Sequence, residues 1–144
     1  MATERTAEVV WQGDLMNGAG TIESVTSGAF APLDVTWLSR AEAPAGKTSP
    51  EELIAAAWAS CFSMALSNGL AKEGTPPERL ETSVTVTFQP GEGIIKGSIT
   101  VRGTVPGLAG TGFAEAAENA KKNCPVSKAL AGIPEVALDA VLVS

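Results

Sequence analysis

Histidine is missing from this 144-residue chain. That absence removes Ser-His and Cys-His catalytic pairs and any histidine-based metal site. Cysteine is scarce as well. Only Cys61 and Cys124 occur, and two such distant residues do not make a zinc ribbon. Basic residues are outnumbered, 10 Lys and Arg against 16 Asp and Glu, for a net charge of −6. This argues against a phosphate-binding surface, hence against nucleic acid, and for small or neutral partners. No Walker loop is present. The Gly-Ala-Gly at 18–20 lacks the rest of a dinucleotide fingerprint and reads as a turn. The opening Met-Ala-Thr-Glu-Arg carries no apolar run, so no signal peptide is expected and a cytoplasmic location is. Repeats and low-complexity tracts are absent too.

Hydrophobic residues make up 44% of the chain. That suffices for a core without disulfide staples, and one domain over residues 1–144 is expected. Strand patterns cover residues 6–11, 21–26 and 34–38, with a glycine-rich turn over 13–20 and a polar loop over 39–47. The strongest helix signal follows. Ser49 suits an N-cap, Pro50 the first helical position, and Glu52 completes a capping box. The body, 53–70, has almost no polar face. It approaches the length of a membrane span. Its many alanines and serines, the charged cap and the lack of any second span favour a buried helix, with no membrane association. Beyond Gly74, Thr75, Pro76 and Pro77 the period changes to two, giving strands over 82–88 and 94–105 around a turn at 90–93. An amphipathic helix over 112–123, a short helix over 125–130 and a strand over 135–143 complete an α+β pattern, with antiparallel strands and helices on one face. A helix apolar on every side is hard for so small a chain to surround, which points to a homodimer.

The chemistry rests on the cysteines. Three readings stay open from the residues alone: a redox couple, a structural disulfide, or two inert core thiols, the last being the commonest fate of free cysteine. A peroxide is cleaved when a thiolate attacks one oxygen. With a pKa of about 8.5, only about 3% of a thiol is ionised at neutral pH. An apolar helix raises that pKa further. Cys61 therefore needs a cation, and Arg40, just before the loop leading to its helix, is the candidate. Glu51 in the first helical turn is free to hold the guanidinium, although its plainer role is to favour the helix dipole. Cys124, followed by Pro125, stands where a helix begins, and backbone N–H groups there stabilise a thiolate.

Two phrases now carry a resemblance. Ser-Pro-Glu-Glu-Leu-Ile-Ala-Ala-Ala-Trp-Ala-Ser-Cys-Phe-Ser-Met-Ala-Leu-Ser at 49–67 and Cys-Pro-Val-Ser-Lys-Ala-Leu at 124–130 closely resemble the OsmC/Ohr family of thiol peroxidases. Trp-Gln-Gly-Asp at 11–14 and Val-Ala-Leu-Asp at 136–139 extend the likeness over nearly the whole chain. The resemblance implies reduction of organic hydroperoxides, and to varying degrees hydrogen peroxide, with no bound cofactor or metal. It assigns Cys61 as the peroxidatic cysteine and Cys124 as the resolving one, with Glu51 paired to an arginine. It implies an antiparallel sheet packed on long central helices in an intertwined homodimer, with both sites at the interface. The reductant would be an external dithiol or a lipoylated protein. Arginine is absent from 12–23, where the Ohr branch carries it. Arg40, with Val126, Ser127 and Lys128, places the chain nearer the OsmC branch. One departure stands out: the position three before the first cysteine, often histidine in that branch, is Trp58. Two other functions fit the same fold, a non-catalytic stress-response relative and a cysteine redox sensor.

Overall fold

The computed structural model describes residues 1–144. Its contacts gather in two units, Met1–Leu53 and Ile54–Ser144.

In the first unit, β1 (Ala7–Gln12), β2 (Ala19–Val25) and β3 (Leu33–Val35) form an antiparallel sheet in that order. The turn between β1 and β2 is closed by Asp14, whose carboxylate accepts from the Asn17 N–H at 2.7 Å and whose carbonyl accepts from the Gly18 N–H at 2.8 Å. The expected strand over 34–38 and loop over 39–47 need correction. The strand stops at Val35, and α1 (Trp37–Ala41) begins. Thr36 and Ser39 close a capping box, each hydroxyl accepting from the other's N–H at 3.0 Å. Two satisfied donors let so short a helix form, and Arg40 lies in its last turn.

The helix α2 (Pro50–Lys72) starts as the sequence predicts, with the Ser49 hydroxyl accepting from the Glu52 N–H at 3.1 Å. The reciprocal half of the expected box is replaced. The Glu52 carboxylate accepts instead from the Thr48 hydroxyl at 2.9 Å.

In the second unit, α2 runs on through Lys72 and is followed by β4 (Arg79–Gln89), β5 (Gly93–Thr104), α3 (Gly110–Asn123), α4 (Pro125–Ala129) and β6 (Glu135–Leu142). The β4–β5 hairpin is antiparallel, but β6 pairs with β5 in parallel. The expectation of wholly antiparallel strands is thus corrected: α3 and α4 return the chain to the far end of the sheet, so β6 enters in the direction of β5.

By length and composition α2 is apolar enough to cross a membrane, yet it supplies the core of this unit. Trp58, Phe62, Leu66 and Leu70, each four residues apart, are all but fully buried. They join Ile99 and Val101 of β5 and Phe113, Ala117 and Ala120 of α3. Four-residue spacing keeps these side chains on one stripe. The expected burial on every side is not met within one chain. Ala56, Ala57, Ser60 and Asn68 are exposed, and Met64 is 71% exposed.

One close approach shapes this core. A Cβ at Gly97 would lie 2.5 Å from two ring atoms of Trp58. The absence of a side chain at this position of β5 is what lets the indole approach the strand so closely. Gly97→Ala is therefore expected to destabilise the fold by about 1–3 kcal/mol through overpacking, read as a lower midpoint in urea unfolding. An unchanged midpoint would show that the ring can move aside.

Candidate active site

Cys61 lies in the middle of α2, half-buried, and packs against the core cluster. Cys124 caps the N-terminus of α4, fully buried. The short break between α3 and α4 is stitched by two backbone bonds, Cys124 N–H to the Ala120 carbonyl at 2.8 Å and Lys128 N–H to the Cys124 carbonyl at 3.0 Å. Pro125 at the first position of α4 has no N–H to leave unsatisfied. This arrangement brings the two cysteines together across 63 residues of sequence. Both are free thiols, near enough for each to shift the other's acidity.

The thiols differ in acidity. Burial pushes the Cys61 thiol up, and the hydrogen bond with Cys124 pushes the same way, with the Val126 N–H offsetting them in part. Burial also acts to raise Cys124. Hydrogen bonds from Cys61, from the backbone N–H and hydroxyl of Ser127, and from the Val126 N–H outweigh it and lower the pKa. Cys124 makes no side-chain capping bond, but its neighbours favour the charged form.

Arg40 and Glu51 meet within the first unit. Arg40 Nε donates to both carboxylate oxygens at 3.0 and 3.2 Å, and Nη2 donates to Oε2 at 2.8 Å. This is the two-pronged geometry that suits guanidinium and carboxylate. Glu51 is 6% exposed, and the Arg40 side chain remains 32% exposed. The carboxylate thus fixes a guanidinium that still reaches solvent. Glu51 and Cys61 sit ten residues apart on α2, about 15 Å of helical rise.

An open groove of about 1080 Å³ runs along α2 and α3. Cys61, Met64, Ala65, Leu108, Ala116 and Pro125 give it a largely apolar wall, with Asn68, Glu73 and Glu115 among its polar groups. No three Cys, Asp or Glu side chains assemble into a possible metal set.

Two features of the site were not read from the sequence. Arg40 stands on a helix, not in a loop, because Thr36 and Ser39 cap it. Trp58 is not merely an apolar departure: its indole N–H donates to Ser127 Oγ at 2.7 Å. A buried tryptophan needs a partner for its N–H, which was the available signal. A partner 69 residues away was not legible.

Residues 43–139 match the OsmC family, described as OsmC-like protein. Two relatives, from Escherichia coli (strain K12) and Shigella flexneri, each named Peroxiredoxin OsmC, are 36% identical over 142 residues, covering 96% of this chain and 96% of theirs. The chain belongs to the OsmC family. Solved structures agree with the OsmC-like fold. The OsmC-like protein from Mycoplasma pneumoniae superposes with a TM-score of 0.74 at 14% identity, covering 100% of both chains. The organic hydroperoxide resistance protein OhrB of Bacillus subtilis gives 0.61 at 27% identity, covering 95% of this chain and 97% of its own.

Proposed function

We propose that this OsmC-like chain is a cysteine-based peroxidase that reduces organic hydroperoxides, with hydrogen peroxide as a poorer substrate. The observation that carries this reading is the contact between two free thiols, one of them lining an apolar groove. The names of the curated relatives support the same class of activity.

The reaction needs two steps. The Cys61 thiolate attacks one peroxide oxygen, the O–O bond breaks, and the alkoxide leaves as alcohol after taking a proton. Cys61 is then a sulfenic acid. The Cys124 thiolate attacks its sulfur, the S–O bond breaks, hydroxide leaves as water after protonation, and a disulfide remains. An external dithiol, such as a lipoyl group on a partner protein, reduces it by exchange. The protein brings no bound cofactor to this cycle, and the cytoplasm supplies a reducing setting.

Cys61 must be ionised to attack, and burial opposes that. A guanidinium is suited to supply the missing charge and to donate to the peroxide oxygens. We assign this to Arg40, held by Glu51. We further propose that a second copy supplies this Arg40. The exposed faces of α2 and the fully exposed β1, with Val9, Val10 and Trp11, suit burial in such a homodimer.

Steady-state turnover tests the reading. An alkyl hydroperoxide with a lipoyl-type dithiol is expected to give the highest kcat/KM, hydrogen peroxide a lower one, and a monothiol reductant little turnover. No consumption of any peroxide by the reduced protein would overturn it.

A further inference from the structure

Trp58 is fully buried and pinned by Gly97, yet the groove does not include it. Its one polar atom is committed to Ser127, and every buried side-chain polar atom in the structure has a partner. Ser127 lies on the first turn of α4, three residues after Cys124. A serine hydroxyl has a single hydrogen to donate and lone pairs to accept with. On a helix that hydrogen ordinarily turns back to a carbonyl one turn earlier. Here the oxygen is engaged by the indole N–H. The hydroxyl stands at the helix end that Cys124 caps, and Ser127 is among the groups that lower the Cys124 pKa.

We propose that Trp58 is a positioning residue for the resolving thiol: its indole N–H, bonded to Ser127 Oγ at 2.7 Å, holds the Ser127 hydroxyl toward Cys124. The word resolving rests on the proposed function; the positioning itself does not. Trp58 touches no reacting atom. It acts by fixing the rotor that stabilises the Cys124 thiolate, and a rigid donor stabilises a charge better than one that must first be ordered. In the cycle, that thiolate is the species that attacks the Cys61 sulfenic acid, so fewer thiolates mean slower disulfide closure.

The test reads the Cys124 thiolate by ultraviolet absorbance against pH, in a Cys61→Ser background so that one thiol remains. The chain contains no tyrosine, so no tyrosinate signal intrudes. Adding Trp58→Phe is expected to raise the titration midpoint by about half to one pH unit, which leaves about three- to tenfold less thiolate below it. Ser127→Ala is expected to do the same, and the two together to shift it no further. Should Trp58→Phe not fold, benzothienylalanine placed at position 58 alone keeps the ring shape and removes only the N–H. An unchanged midpoint in a folded variant would reduce Trp58 to core packing and overturn the proposal, as would additive shifts in the double variant. Because no peroxide enters the titration, a chain inert to peroxides would sink the proposed function and leave this result readable.

Discussion

Cys61→Ser is expected to reduce peroxide turnover by about a thousandfold or more, since removing a nucleophile deletes the step that all others follow. Cys124→Ser should behave differently. It is expected to consume one equivalent of hydroperoxide and then stop, with the protein heavier by one oxygen atom in its mass spectrum, and to gain further oxygens under excess peroxide. The contrast decides the assignment of roles. In the single chain the lower pKa belongs to Cys124, so acidity alone would favour the opposite order. Position argues for Cys61: it lines the groove and is half-exposed, whereas Cys124 is fully buried. If Cys61→Ser still took up one oxygen and Cys124→Ser took up none, the roles would have to be exchanged.

The sequence made most of α2 legible because its signals are local. Ser49, Pro50 and the Gly74 to Pro77 stretch mark the ends, and an apolar body fills the interval. The same locality explains the errors. Only one stripe of α2 is buried, because β5 and α3 pack against that stripe and an apolar run does not say how many of its faces the chain will cover. The parallel entry of β6 depends on how α3 and α4 return the chain, which strand alternation does not encode. At the site, Cys61, Cys124, Arg40 and Glu51 were singled out from residue chemistry and from family phrases. The Arg40–Glu51 pair forms because Thr36 caps a five-residue helix, a signal too short to stand out. The bond from Trp58 to Ser127 joins residues whose proximity exists only after β5 has offered Gly97 as a bed for the indole.

Replacing Arg40 should reveal whose active site it serves. Arg40→Ala is expected to lower kcat/KM by about a hundred- to a thousandfold, because a buried thiolate and a developing oxyanion both lose their fixed cation. Arg40→Lys should recover only part, since an ammonium cannot grip Glu51 with two prongs and still face a peroxide. Glu51→Gln keeps the shape but loosens the grip, and its effect should be smaller than that of Arg40→Ala. The decisive measurement mixes two inactive proteins, Arg40→Ala and Cys61→Ser, after joint unfolding and refolding. With Arg40 acting across a two-fold interface, each mixed dimer holds one complete site: the Cys61 of one chain beside the Arg40 of the other. About a quarter of wild-type activity should return, from half the dimers being mixed and one site in two being intact. With Arg40 acting within its own chain, both sites of every mixed dimer lack a group, and no activity returns. Recovery therefore requires both a dimer and a crossing arginine. Its absence, in a mixture shown to be dimeric, would place the missing cation on the same chain.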